Sequence, residues 1–237
     1  MANPYFQFKQ FTVWHDRCAM KVGTDGVLLG AWASIDHSQQ ILDVGTGSGL
    51  VALMLAQRSS EEVSITGIEI DQEAAQQARE NVHKSPWKEK INIVCDDFTT
   101  HTFDRKFDLI VSNPPYFKNS LKCPDNQRAA ARHDDSLSYE TLFARVKDLL
   151  DDKGTFTLII PIEVENLIKE IAHHNELTEV AQLYVTTKPD GAPRRTLISF
   201  STEKREYSPE TLLTEKARHQ YSDEYIRLTR AFYLNME

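Results

Sequence analysis

Asn113-Pro114-Pro115-Tyr116 closes the run "DLIVS" with an amide, two rigid rings and an aromatic side chain. Prolines end a strand because they lack an N–H and fix φ, and an asparagine before proline is an ordinary turn residue. The same four residues carry chemistry if the turn lies at the carboxyl end of a parallel strand, where α/β folds hold their ligands. A second stretch supplies the context. "LDVGTGSGL" places Gly45, Gly47 and Gly49 after a strand and before a helix, where backbone can approach a ligand with no Cβ in the way. A dinucleotide fingerprint needs its third glycine at position 50, which is Leu50.

Three acidic positions sharpen this reading. Asp43, two residues before the first glycine, would repel a pyrophosphate but suits a cationic ligand, and S-adenosylmethionine carries an ammonium and a sulfonium. Glu69, at the end of the next strand, is placed to accept from ribose hydroxyls. "CDDF" offers Asp97 to an adenine amino group and Phe98 as an apolar ring against a base. The plainer alternatives are a tight turn at the glycines, Asp71 as a helix cap and Asp96 or Asp97 as turn formers.

The elements that would position these residues alternate in type. "QILDVG", "VSITGIEI", "INIVCDD", "FDLIVSNP" and "GTFTLIIP" are strand-like, and helical stretches such as "GLVALMLAQRS", "DQEAAQQARENVHKS" and "YETLFARVKDLL" lie between them. That order predicts βαβ units around a mainly parallel sheet with helices on both faces. "LTEVAQLYV" and "RTLISFS", separated by "KPDGAP", predict a closing antiparallel hairpin. The 237 residues are expected to form a single domain, with extensions at 1–39 and about 208–237, the latter ending in a helix near "SDEYIRLTRAFYL".

With 41% hydrophobic and 26% charged residues, the composition is that of a soluble globular protein, with no apolar run of membrane-spanning length and no signal-peptide pattern at the start. A cytoplasmic location is the expectation. Cys18, Cys95 and Cys123 fit neither a disulfide framework nor a metal site, so free thiols and no bound metal are expected. A net charge of −8 argues against a generally basic nucleic-acid-coating surface. Local patches remain: Lys118, Lys122, Arg128 and Arg132 follow the Asn-Pro-Pro-Tyr turn against the single carboxylate Asp125, and Lys188, Arg194 and Arg195 form another.

Taken together, "DVGTGSG", "IEID", "CDDF" and "NPPYF" resemble the class I S-adenosylmethionine-dependent methyltransferases, and the last motif resembles the branch that modifies planar amino nitrogens. The resemblance covers about residues 20–200. It implies a Rossmann-like α/β fold with a seven-stranded, mainly parallel sheet and an antiparallel last hairpin. It also implies S-adenosylmethionine as cofactor, with Asp43, Gly45, Gly47, Gly49, Glu69, Asp97, Phe98 and Asn113 around it. "MKVGTDGVLLGAWA" resembles a segment near the methionine end of the cofactor, which brings in Thr24; its plain reading is a helix start capped by Thr24 or Asp25.

The chemistry of the turn then follows. An exocyclic amino nitrogen is a poor nucleophile because its lone pair is delocalised. If the Asn113 side-chain oxygen and the Pro114 carbonyl accept its two N–H bonds, the nitrogen can pyramidalise, while Tyr116 gives the base a surface to stack on. Adenine in DNA, adenine in RNA and glutamine in protein all fit this motif. The absence of a large target-recognition domain speaks against DNA and that of a separate N-terminal helical domain against protein glutamine, and it is the whole-chain resemblance to bacterial tRNA adenine-N6 methyltransferases that implies RNA. The resulting expectation is a monomeric enzyme acting on adenosine 37 of a valine tRNA, held by Lys118, Lys122, Arg128, Arg132, Arg194 and Arg195. The alternatives are a protein-glutamine N5 methyltransferase and a non-catalytic RNA- or partner-binding protein on the same fold.

Overall fold

The central strands are buried almost end to end, and their alternate side chains enter two cores, one on each face of a single sheet. In the computed structural model, which describes residues 3–115 and 137–236, the main sheet is built from β3 (Gln40–Val44), β4 (Ser64–Glu69), β5 (Ile91–Cys95), β6 (Phe107–Ser112), β7 (Leu150–Pro161), β8 (Thr178–Thr186), β9 (Arg195–Ser201) and β10 (Glu210–Leu213). Their order is β10-β8-β9-β7-β6-β3-β4-β5. The pairs β7–β6–β3–β4–β5 are parallel, and β9 alone runs against both of its neighbours.

The sheet therefore has eight strands where seven are expected. The addition is β10, which lies in the C-terminal extension and pairs parallel with β8 through Leu212 and Leu213. Its four residues are too few to show a strand period, yet Leu212 is 4% exposed and closes the sheet's edge.

Helices α1 (Thr24–Trp32), α2 (Leu50–Arg58) and α3 (Gln72–His83) cover one face of the sheet, with Ile41, Leu109 and Val111 pointing into their core. Helices α4 (Tyr139–Leu149) and α5 (Glu165–His174) cover the other, over Leu42, Val44 and Ile110. A Cβ on Gly30 would stand 2.8 Å from Met54 Cβ, and one on Gly26 2.9 Å from Leu50 Cδ2. These two glycines let α1 and α2 approach closely enough to share one core. Helix α1 begins after Gly23 with no side-chain cap, so the expected caps are corrected: Thr24 and Asp25 belong to the first turn. Asp71 does cap α3, accepting from Ala74 N at 2.8 Å.

The two extensions pack together. The N-terminal hairpin β1 (Tyr5–Gln7) and β2 (Thr12–Trp14) meets the C-terminal segment through a Phe8–Tyr233 bridge, and Lys9 Nζ donates to the carbonyls of Arg230 and Met236 at 2.8 and 2.7 Å. The hairpin β11 (Glu215–Ala217) and β12 (Gln220–Tyr221) leads into α6 (Asp223–Thr229), whose Ser222 caps Tyr225 N at 3.0 Å. Among the described residues no helix is long and apolar enough to cross a membrane, and no cluster of three metal-binding side chains occurs.

Candidate active site

The carboxyl ends of β3, β4 and β6 converge because β3 is central among them. At the end of β3, Gly45, Gly47 and Gly49 have φ of 70°, 54° and 80°, values that L side chains rarely adopt, so the loop can turn this tightly only with glycines. Gly49 is also the N-cap of α2 and lies over Ala78 of α3.

Glu69 binds this loop to the end of β4. Its Oε2 accepts from Gly47 N at 2.9 Å and its Oε1 from Asp71 N at 3.0 Å. A carboxylate oxygen can accept more than once, so each retains capacity for a vicinal diol. Ile70, directly beyond, is 60% exposed. An aliphatic side chain left to solvent between two carboxylates is a surface a purine ring could cover, and no motif in the sequence marks it.

Asp43 lies beneath the loop rather than within it. It is 1% exposed, and its Oδ2 accepts from Thr46 Oγ1 at 2.6 Å and from Ala52 N at 3.2 Å. The second bond satisfies one of the open N–H groups in the first turn of α2, where no side-chain N-cap exists. Burial is the largest influence on Asp43 and raises its pKa from 3.8 to about 6, against these two hydrogen bonds. A carboxyl whose folded pKa lies above its unfolded value favours folding while protonated and loses that advantage as pH rises. The stability of the wild type relative to Asp43→Asn is therefore expected to fall between about pH 4 and pH 6. Paired melting curves across that range check it, and a constant difference would mean that Asp43 titrates normally.

At the end of β5, Asp97 Oδ1 accepts from Thr99 N at 2.8 Å and its carbonyl from Thr100 and His101 N, so it forms the turn. Asp96 pairs with His101 Nδ1 at 2.7 Å, a contact that holds its carboxyl below the usual range. Phe98 is 6% exposed, part of the core, with the Arg145 guanidinium 5.9 Å from its ring centre. Packed in this way, it offers little free face to a ligand.

At the end of β6, Ser112 Oγ donates to Val44 O at 3.0 Å, and Ser112 and Val44 are register partners. Asn113 is thereby fixed beside the first glycine. Its Oδ1 is buried and, among the described residues, has no hydrogen-bond partner. Pro114 is buried and Pro115 exposed. Tyr116, Lys118, Lys122, Arg128 and Arg132 lie outside the described residues.

The other wall of the site comes from the N-terminal extension. Gln77 and Asn81, one helical turn apart on α3, are each 1% exposed. Asn81 accepts from Trp14 N at 3.0 Å and donates to Trp14 O and Ser48 O at 2.8 and 2.9 Å; Gln77 accepts from Arg17 N at 3.1 Å. These amides join residues 14–18 to the glycine loop. Cys18 then lies near enough to Glu69 and Asp71 that burial, followed by those charges, raises its thiol pKa to about 11. The signal for Gln77 and Asn81 was available: both sit beside the buried stripe Ala74, Ala75, Ala78 and Val82 on an otherwise polar helix.

Of the basic candidates at the start of β9, Arg195 Nε donates to Asp25 Oδ2 at 2.9 Å, while Arg194 is exposed.

Residues 22–186 match the family model described as methyltransferase small domain. A protein of Bacteroides thetaiotaomicron named tRNA1(Val) (adenine(37)-N6)-methyltransferase is 59% identical over the whole of both chains. One of the same name from Escherichia coli O157:H7 is 43% identical over 98% of this chain and 95% of its own. Among solved structures, an Agrobacterium tumefaciens protein described as a predicted O-methyltransferase superposes with a TM-score of 0.68 at 18% identity, covering 88% of this chain and 96% of that one. A glycopeptide N-methyltransferase solved with S-adenosyl-L-methionine gives 0.56 at 13% identity, over 77% of this chain and 100% of that one.

Proposed function

The chain belongs to the methyltransferase small domain family, and we propose that it transfers a methyl group from S-adenosylmethionine to N6 of adenosine 37 in a valine tRNA. The buried Asn113 Oδ1 beside the glycine loop, unpartnered among the described residues, carries this reading. Burying a carbonyl oxygen without a donor costs about 1–3 kcal/mol, and an amino N–H arriving at that point would remove the penalty. The names of the full-length relatives supply the substrate, and they weigh against glutamine in a protein and against a non-catalytic role.

The residues present fit S-adenosylmethionine. Gly45, Gly47 and Gly49 let the backbone come close, Glu69 has acceptor capacity for the ribose, and Ile70 with Asp97 borders the adenine. The cofactor, when bound, supplies an electrophilic methyl group on a sulfonium. Asn113 Oδ1 and the Pro114 carbonyl accept the two N–H bonds of the target nitrogen and orient its lone pair, and these bonds strengthen as the nitrogen gains positive charge. The rigid prolines and the Ser112–Val44 bond keep both acceptors still. Tyr116 stacks on the base, and the basic residues from Lys118 to Arg132 with Arg194 meet phosphates. Asp43 and Asn81 act through the loop as positioning residues. The same reading makes the protein a cytoplasmic monomer that works without a metal.

Nucleoside mass spectrometry on bulk tRNA from cells lacking the enzyme tests the assignment. Incubation with protein and S-adenosylmethionine is expected to produce N6-methyladenosine in the valine tRNA fraction. A methylated glutamine in a protein substrate, with tRNA inert, would overturn it.

A further inference from the structure

A cleft of about 890 Å³ lies between the N-terminal hairpin, the start of α1, the ends of β8 and β9, and the C-terminal segment, with Tyr5, Thr24, Arg194 and Tyr221 on its walls. We propose that it holds an unpaired nucleotide of the RNA substrate, a second contact separate from the target adenosine, with the base stacked on Tyr221 and the phosphate met by Arg194. The inference rests on the RNA reading of the active site.

The first observation is a column of rings. Tyr221, Tyr225, Tyr233, Phe8 and Phe11 follow one another at centroid distances of 5.1, 6.5, 5.9 and 4.7 Å, with successive interplanar angles of 31°, 34°, 26° and 21°. The inner members are held by the core: Tyr225 is 3% exposed, Phe8 1% and Phe11 6%. The column surfaces at Tyr221, which is 45% exposed, and Tyr5 on the cleft wall is 36% exposed. A rigid, partly bare ring at the end of such a column is a stacking platform for any base, since every base has a π-face.

Charge is the second observation. Arg195 is engaged by Asp25, and among the described residues no carboxylate pairs with Arg194. Glu215 also lines the cleft. The balance suits a ligand with a neutral aromatic part and one anionic group, as in a nucleotide, better than a polyanion.

Position is the third. Arg195 opposes Pro161 at the end of β7 and Val185 near the end of β8, so the cleft opens at the same edge of the sheet as Asn113. Three strand steps separate β6 from β8, which is roughly 14 Å at the usual strand spacing. A single strand lying along this edge spans that distance within a few nucleotides.

The test measures Kd for an in vitro transcribed valine tRNA by fluorescence anisotropy, with S-adenosylmethionine affinity as the control for folding. Tyr221→Ala is expected to weaken tRNA binding roughly 5- to 100-fold, as lost base stacking does, and Tyr221→Phe to bind like wild type. Arg194→Ala should reduce the slope of log Kd against log salt by about one. Wild-type tRNA affinity in a Tyr221→Ala protein that binds cofactor normally would overturn the inference and leave the active-site reading standing. If the wild type neither binds nor methylates tRNA, that reading fails, and this one with it.

Discussion

Asn113→Ala is expected to lower the single-turnover rate of methyl transfer by about 10²–10³-fold, the usual effect of deleting one preorganised polar group that acts in a transition state. S-adenosylmethionine affinity should barely change, because the contacts proposed for its ribose and adenine lie on the glycine loop, Glu69, Ile70 and Asp97, and the Asn113 oxygen is assigned to the target nitrogen. The stability of the variant separates this account from a structural one. The side-chain oxygen of Asn113 is buried and has no partner among the described residues, so deleting it removes a desolvation penalty of about 1–3 kcal/mol. The melting temperature should stay at or above that of the wild type, a trade of stability for activity common at functional sites. If the asparagine only terminates the strand, the opposite pattern follows, with a lower melting temperature and activity falling only with the folded fraction. Rapid-quench measurements under saturating cofactor, beside calorimetric melts, decide between them. A well-folded Asn113→Ala protein with full single-turnover activity would end the proposed role.

The central half of the fold was legible because each element there carries a strong local signal. β4 ends on Glu69, and β3, β5 and β6 are followed directly by Gly45, Asp96-Asp97 and Asn113, in the order the motifs imply, and the left-handed φ at all three loop glycines could be read from their type. What the sequence hid is long-range or short in extent. β10 has four residues and depends on β8 for its existence. The column from Tyr221 to Phe11 joins the two ends of the chain, so neither end alone shows it. Asp43 was legible as a buried acid at the loop but its bonds were not. Its partner Ala52 N is an apolar residue's backbone, offered only because α2 starts without a side-chain cap. Phe98 reads from the sequence as a ring for a base, whereas its packing places it in the core.

Glu69→Ala is expected to weaken S-adenosylmethionine binding by about 1.5–3 kcal/mol, the value of a lost charge-assisted hydrogen bond to a buried partner. The number alone does not establish contact, because Glu69 also shapes the site. Its oxygens accept from Gly47 N and Asp71 N, and the substitution frees both donors and loosens the loop that carries them. Glutamine does not separate the two roles, since its NH₂ would face one of the same N–H groups, donor against donor. A ligand change separates them. If Glu69 accepts from the ribose, the wild type should bind a cofactor analogue lacking one ribose hydroxyl more weakly than the parent, and Glu69→Ala should bind the two almost equally. This is a double-mutant cycle with one mutation in the ligand, and its coupling energy reports the contact after the loop's effect cancels. Titration calorimetry on the four combinations gives that energy directly. A coupling near zero would leave Glu69 as a brace for the glycine loop and move ribose recognition elsewhere, whereas a value near 1–2 kcal/mol would assign the acidic end of β4 to the cofactor itself.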